Sequence, residues 1–301
     1  MNELDAAEIY DFRLRESYAE CKRLNALHGK TYYLATLLLP KSKRPFVHAL
    51  YGFARFADEI VDDLASTLSP EEKAEVLSKW SSGVLKDLKN GTSQDSIGRA
   101  LVDTAKRFDI PHQHFVDFLH SMTMDLTVTQ YQSYEDLLEY VYGSAAVIGL
   151  EMVLVLGYSD VAAFEAAKKL GIAFQLANFI RDVAEDLDRG RVYLPLDELA
   201  QFGVSRAMLE ERKLTPEIIG ALKFQIDRVR TLQREAAPGI ELLDKSSRPC
   251  IRAASELYCG IVDEVEAIGY DIFKKRAKTS TARRARVASL AYLQAIIARI
   301  G

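Results

Sequence analysis

Cysteine is scarce in this 301-residue sequence: there are three, Cys21, Cys250 and Cys259. So sparse and odd a set suits a reducing compartment and builds no disulfide framework. None has a neighbouring base signature, so the thiols are expected to be inert. Proline and glycine are also few, 8 and 16, and sit mainly at element boundaries. No Gly/Ser-rich linker, fixed-period repeat or low-complexity tract divides the chain, which predicts a single domain over residues 1–301. No uninterrupted apolar run approaches the roughly 18 residues that a membrane span needs. The richest stretch, Gly143 to Gly157, is broken by Glu151. The start, Met1-Asn2-Glu3-Leu4-Asp5, lacks the basic and apolar regions of a signal peptide, so a cytoplasmic location is expected. With a formal net charge of -4 the chain has no field to collect nucleic acid, and no such partner is expected.

Several cofactor signatures are missing too. No two glycines stand two apart, so the dinucleotide fingerprint cannot occur. His28-Gly29-Lys30-Thr31 is only the tail of a phosphate loop, because Leu24 stands where the first glycine belongs. His112, His114 and His120 have no cysteine or suitable fourth ligand nearby and read as surface histidines rather than a zinc site.

What is present is ordinary globular composition, 49% hydrophobic and 27% charged, with strong helical signals. Ser69-Pro70-Glu71-Glu72 and Thr215-Pro216-Glu217 read as cap, first-turn proline and first-turn acid. Ser133 with Asp136 is a capping box. Apolar residues recur three and four apart, as in Leu34, Leu37, Leu38 and Phe46, Leu50, Phe53, while strand-like alternation is scarce. The fold is expected to be all-α, with about ten helices. Breaks are expected at 89–93, at 189–195, at Ala237-Pro238-Gly239 and at Arg248-Pro249.

Two segments carry chemistry. In Tyr51-Gly52-Phe53-Ala54-Arg55-Phe56-Ala57-Asp58-Glu59-Ile60-Val61-Asp62-Asp63, helical spacing puts Tyr51, Arg55, Asp58 and Asp62 on one stripe. In Gln175-Leu176-Ala177-Asn178-Phe179-Ile180-Arg181-Asp182-Val183-Ala184-Glu185-Asp186, the same spacing aligns Asn178, Asp182 and Asp186, with Gln175 one turn earlier. Like charges four apart repel unless a cation neutralises them. A hard divalent ion such as Mg²⁺ takes one or two carboxylates together with phosphate oxygens and waters. A solvated acidic face is the alternative for the first segment. The apolar neighbours Phe174, Leu176, Ala177 and Phe179 make burial of the second segment the expectation, and burial favours a metal site. Two such sets facing across a cavity could hold metal ions around a diphosphate and promote its departure.

In these contexts the two motifs resemble the squalene/phytoene synthase family, the head-to-head prenyltransferases, from about residue 17 to about residue 278. The resemblance also rests on Tyr140-Val141-Tyr142-Gly143-Ser144-Ala145-Ala146-Val147-Ile148-Gly149 and on Arg191-Val192-Tyr193-Leu194-Pro195. His28-Gly29-Lys30-Thr31-Tyr32-Tyr33 looks most like the bacterial phytoene-forming members. The resemblance implies an isoprenoid-synthase-type helical bundle around a central tunnel. It implies condensation of two geranylgeranyl diphosphates to phytoene through a cyclopropyl diphosphate. The rivals are a farnesyl-diphosphate-using dehydrosqualene or squalene synthase and, in another class, a non-catalytic assembly factor on the same fold.

Carried over by residue, the resemblance implies Mg²⁺, with Mn²⁺ as a substitute, on Asp58, Asp62, Asn178, Asp182 and Asp186. Diphosphates would be held by Lys30, Thr31, Arg55, Arg181, Arg191, Tyr193 and Arg276. Tyr51 and Tyr140 would lie beside the reacting carbons, Gln175 would bind substrate, and the rings of Tyr51 and Phe174 could shield an allylic cation. Asp125 matches an aspartate near the site. No NADPH is expected. Among the small residues Gly143, Ala145, Ala146 and Gly149, close helix packing is the plain reading and room for a prenyl tail the family one, with Val147, Ile148 and Leu150 lining or backing it. Thr36 and His48, neither very bulky, favour the longer tail.

The segment 281–301 reads as an amphipathic helix that docks Leu290, Leu293, Ile296 and Ile297 on the body. Its Arg283, Arg284, Arg286 and Arg299 keep peripheral contact with the inner face of an anionic membrane as the alternative. The oligomeric state, monomer or homodimer, stays open.

Overall fold

Capping residues start the helices where the sequence places them. Ser69 accepts from the Glu72 amide while Glu72 reaches back to the Ser69 amide, and Ser133 and Asp136 form the same reciprocal pair. Thr215 accepts from the Ile218 amide. A computed structural model describes residues 2–62 and 68–300; the side chains of Lys30, Thr31, Asp62, Arg299 and Ile300 lie outside the description.

The elements run α1 (Glu3–Ala6), α2 (Phe12–His28), α3 (Lys30–Thr36), α4 (Arg44–Asp62), α5 (Pro70–Asn90), α6 (Ser96–Arg107), α7 (His112–Met124) and α8 (Tyr134–Val141). A π-helical turn, Tyr142–Ala146, leads into α9 (Val147–Leu156). Then follow α10 (Ala162–Asp188), α11 (Leu196–Gln201), α12 (Arg206–Glu210), α13 (Pro216–Ile240), α14 (Arg248–Cys259), α15 (Ile261–Ala267) and α16 (Thr281–Ile300). Among the described residues there are sixteen α-helices rather than ten, because short helices occupy stretches that read as connections. No strand forms among them; isolated bridges join Gln130 to Val192 and Tyr158 to Leu243. The fold is all-α and a single helical domain.

The long α10 packs along α13 through close backbone approach. A Cβ on Gly239 of α13 would lie 2.0 Å from the Ala166 Cβ of α10. Ala237-Pro238-Gly239 is not a break: α13 runs through Pro238 and stops at Ile240. Proline at this point disturbs only the last turn, where the helix is about to end. The breaks at 189–195 and before Pro249 are where the sequence puts them, since α10 ends at Asp188 and α14 begins at Arg248.

The segment Tyr134–Leu156 is long and apolar enough to cross a membrane by length and composition. Here it packs against α7 and α10 as a core element. The π-turn inside it adds a residue per turn and so re-aims its small residues. Gly143 faces α7, where a Cβ would lie 2.1 Å from the Asp117 carbonyl oxygen. Gly149 faces α10, where a Cβ would lie 2.6 Å from the Ala167 carbonyl oxygen. Gly143 therefore serves close packing and frees no space for a tail.

α16 docks through the opposite stripe to the one expected. Val287, Ala291 and Ala295 are buried against the body, while Leu290, Leu293 and Ile297 are 54%, 58% and 69% exposed. Small side chains let α16 lie close to α14, and ion pairs fix it: Arg283 to Asp263 at 3.0 Å and Arg286 to Glu256 at 3.2 Å. Of the histidines, His112 and His120 are exposed, but His114 is half-buried with its Nδ1 enclosed and unpartnered. All three cysteines are buried, and burial pushes each thiol up to about 12, which keeps it protonated.

Candidate active site

α4 and α10 form two walls of an apolar channel. α4 contributes Val47, Leu50, Tyr51 and Ala54; α10 contributes a stripe from Ala163 through Leu170, Phe174 and Gln175 to Asn178. Both helices run toward the same end of it. Asp58 is one turn beyond Ala54 and Asp182 one turn beyond Asn178, so both carboxylate motifs sit at the mouth. The side chains of Asp62, Lys30 and Thr31 lie outside the described residues. At the far end Lys43 donates to the Leu156 carbonyl, to Asp244 at 2.7 Å and to Ser247 at 3.2 Å, tying the ends of α9 and α13 together.

Arg55 donates to Asp58 at 2.7 Å and approaches Glu59 at 4.0 Å. Both acids are about half exposed, while the Arg55 Nε is buried with no partner. Tyr51 lies beneath Gly29, where any Cβ would come within 2.6 Å of its ring. Burial raises its phenol, which stays protonated at neutral pH.

Asp182 accepts from Arg181 at 2.7 Å and from Arg276 at 2.8 and 3.0 Å; Arg276 also pairs with Glu185 at 3.2 Å. Burial alone would raise the Asp182 carboxyl, but the two guanidinium partners outweigh it and hold it below its ordinary value. Asp186 goes the other way: burial and the charge of Asp182 push it up to about 7. Asn178 is in the channel wall with its buried Oδ1 unpartnered. An orphaned amide oxygen and an under-neutralised carboxylate, about two turns apart on the same stripe, are what a hard cation would satisfy. Among the described residues no three carboxylate, imidazole or thiol groups converge into a ready-made metal site. The ligand set fits an ion that takes its remaining oxygens from Asn178 and a diphosphate.

The bridge between Gln130 and Val192 brings the loop after α10 onto the loop after α7, with the Val192 amide donating to the Thr129 carbonyl at 2.8 Å. This makes Asp125 a hub. Tyr140 donates to it at 2.6 Å, Tyr193 at 2.8 Å, and Arg191 to its carbonyl at 2.9 Å. Phe179 stacks on Tyr193 with ring centres 4.1 Å apart. Arg191 and Tyr193 share a small cavity with Asp186, so the hub adjoins the second carboxylate motif. Tyr140 is fully enclosed, and burial, then the Asp125 charge, raises its phenol well above its ordinary value.

Ala145, Ile148 and Gly149 line the channel, as does Thr36; Ala146 and Val147 are buried in the packing instead. His48 turns away to Asn25, 3.0 Å from its amide, and forms no part of the wall. The sequence reading offered Tyr51 and Phe174 as rings beside the cation but missed Tyr32 and Tyr258, which join them around the mouth. Tyr32 is 6.1 Å from Tyr51 and 4.9 Å from Tyr258, and Tyr258 is 5.0 Å from Phe174. Tyr32 stood in a quoted motif, but nothing in the sequence singled out Tyr258. It also missed Ser144, whose buried Oγ is unpartnered in the channel wall.

The sequence profile of the squalene/phytoene synthase family matches residues 26–283. This chain belongs to the squalene/phytoene synthase family. Among curated family members, the chloroplastic phytoene synthase of an Oncidium hybrid is 39% identical over 293 residues, spanning 95% of this chain and 70% of that protein. The 15-cis-phytoene synthase of Synechocystis is 36% identical over 295 residues, spanning 94% of this chain and 86% of its own. That of Synechococcus elongatus is 36% identical over 296 residues, spanning 94% and 95%. Among solved structures, a dehydrosqualene synthase in complex with a ligand superposes with a TM-score of 0.84 at 27% identity, over 93% of this chain and 98% of that one. A squalene synthase from Alicyclobacillus acidocaldarius, 23% identical with a TM-score of 0.80 over 88% and 98%, shares the fold. The neighbours share this isoprenoid-synthase-type helical architecture.

Proposed function

We propose that this protein condenses two geranylgeranyl diphosphates head to head into 15-cis-phytoene, as its cyanobacterial relatives are named for doing. The observation that carries the tail length is the channel itself. From Asn178 to Ala163 it follows α10 for about 22 Å, at about 1.5 Å per residue. At ~3.8 Å per three bonds an extended geranylgeranyl chain needs roughly 19 Å and a farnesyl chain roughly 14 Å. Mg²⁺ on Asp58, Asp62, Asn178, Asp182 and Asp186 would supply the positive charge that lets diphosphate depart. Arg55, Arg181, Arg191 and Arg276 hold the diphosphate oxygens, with Lys30, Thr31 and Tyr193 beside them. Tyr51, Tyr32, Tyr258 and Phe174 offer ring faces to the allylic cation and keep water from it. Gln175, in the channel wall, would touch the substrate, and Tyr140 would flank the reacting carbons. Each turnover joins two C20 units and releases two diphosphates and two protons, with no reductant.

The test offers farnesyl and geranylgeranyl diphosphates separately with Mg²⁺, with and without NADPH, and identifies the hydrocarbon. A C40 product independent of NADPH is expected; a C30 product alone would overturn the tail length. Ala163→Phe, which fills the far end, should cut turnover of the C20 substrate by about tenfold or more relative to the C15 one, the size of an overpacking penalty. Equal losses for both would sink the ruler.

The exposed stripe of α16 gives peripheral membrane contact its support. From Val287 to Ala298 the helix carries no charge, and Arg286 stands at its start. Leu290→Glu with Leu293→Glu should abolish sedimentation with anionic liposomes while far-UV circular dichroism is unchanged; undiminished sedimentation would remove α16 from that role.

A further inference from the structure

At its far end the channel meets three leucines from three separate segments. Leu39 comes from the connection between α3 and α4, Leu156 from the last turn of α9 and Leu243 from the connection between α13 and α14. All three are buried. Each stands at the C-terminal end of a helix or within three residues beyond it, where backbone carbonyls find no partner along the helix. A different basic side chain supplies the donor in each case. Arg44 donates to the Leu39 carbonyl at 2.9 Å, Lys43 donates to the Leu156 carbonyl, and Arg248 donates to the Leu243 carbonyl at 2.9 Å. No cation is among the described residues that line the channel, so these three stand behind the leucines. Each is also paired with an acid: Arg44 with Glu3 at 3.0 Å, Lys43 with Asp244 at 2.7 Å and Arg248 with Glu241 at 3.3 Å. Lys43 holds more than its own leucine. It follows Leu39 by four residues, and it donates to Ser247 at 3.2 Å, four residues beyond Leu243. Ser247 is buried and donates in turn to the Leu156 carbonyl at 2.8 Å. One ammonium group therefore ties together the three segments that meet here. They meet closely: a Cβ on Gly157 would lie 2.2 Å from Asp244.

We propose that Lys43, with Arg44 and Arg248, pins these leucines into a closed floor that sets the upper limit of tail length, so that a geranylgeranyl tail fits and a geranylfarnesyl tail does not. This limit rests on the reading of the channel as a prenyl diphosphate site and bounds its substrate range. A C25 tail is one isoprene unit longer and needs roughly 24 Å, against about 22 Å from Asn178 to Ala163. Its last methyl groups would have to displace a leucine and enter a cluster of ion pairs. Displacement frees a carbonyl and a cation together, and hydrocarbon offers neither a partner. Lys43 touches no substrate. It acts through Leu156 and is a positioning residue for substrate length.

The full chain, given Mg²⁺ and geranylgeranyl or geranylfarnesyl diphosphate in turn, tests it through kcat/KM and the mass of the hydrocarbon. The wild type should favour the C20 substrate by at least about tenfold, the scale of an overpacking penalty. Lys43→Met keeps an apolar stem and removes every donor. It should raise the ratio of C25 to C20 kcat/KM by about tenfold and yield a C50 hydrocarbon. Leu156→Ala opens the floor directly and should raise the ratio as well. Should Lys43→Met not fold, Asp244→Asn, at a half-exposed position, gives the same reading with a smaller shift of about threefold. A merely structural role for Lys43 would lower both substrates together and leave the ratio where it was. That result beside a raised ratio in Leu156→Ala would overturn Lys43 as the pin. An unchanged ratio in both variants, or a wild type that turns over the two tails equally well, would overturn the floor. A wild type that turns over neither would instead remove the reading of the channel on which the limit rests.

Discussion

Asp182→Asn should lower turnover by about 10³-fold, the scale on which transition-state charge stabilisation is lost, while leaving the helical circular dichroism intact. The side chain keeps its shape and loses only its charge, so packing is undisturbed. Arg181 then loses its counter-charge, and Arg276 keeps only Glu185 at 3.2 Å. A metal ion also loses an anionic ligand at the point where Asn178 and Asp186 cannot replace it. Stability should fall as well, and the sign follows from linkage. The Asp182 carboxyl is held below its ordinary value near 3.8, so its contribution is present above that pH and lost only in more acid solution. The variant therefore melts earlier at neutral pH, and the gap closes toward strong acid. Asp58→Asn should match it in turnover but lose less stability, because Asp58 is about half exposed and solvent screens its pairing with Arg55. Retained turnover in either variant would contradict the assigned metal roles.

The carboxylate stripes were legible because their geometry is local: residues four apart share a helix face whatever the tertiary fold. The same spacing cannot say which of two apolar stripes docks. On α16 the bulkier Leu290, Leu293 and Ile297 looked like the buried face, yet Val287, Ala291 and Ala295 allow the closer approach and win. Gly143 and Gly149 looked alike for a similar reason. One faces α7 and the other α10, and the π-turn that sets them apart has no sequence signal. Pro238 read as a break because proline's cost inside a helix is high, but that cost shrinks where the helix ends anyway. The Asp125 hub joins side chains up to 68 residues apart through a single bridge between loops, and no local pattern announces such a meeting. Tyr258 escaped notice likewise, as its role comes from stacking between Tyr32 and Phe174.

Glu151 registered in the sequence only as the interruption of an apolar run, and it yields the largest expected change in stability. It is wholly buried on α9, and neither carboxyl oxygen has a partner among the described residues. Burial alone drives its carboxyl from the ordinary 4.5 up to about 8. At neutral pH it is thus a neutral acid in the folded protein and a carboxylate in the unfolded chain. A raised folded value means that the folded state holds the extra proton, so stability is greatest below about pH 4.5 and drains away as pH rises to about 8. The slope is about 1.4 kcal/mol per pH unit, on the order of 5 kcal/mol across the window. Glu151→Gln removes this slope, and Glu151→Met, of similar volume, also removes the desolvated polar group. Urea unfolding of the three proteins at pH 5, 7 and 9 reads it directly. The curves should converge toward acid and separate toward alkali, with Glu151→Met the most stable at every pH. Parallel curves across that range would mean that the carboxyl reaches water or a cation, and that the core around α9 is not the dry one in which this glutamate is packed.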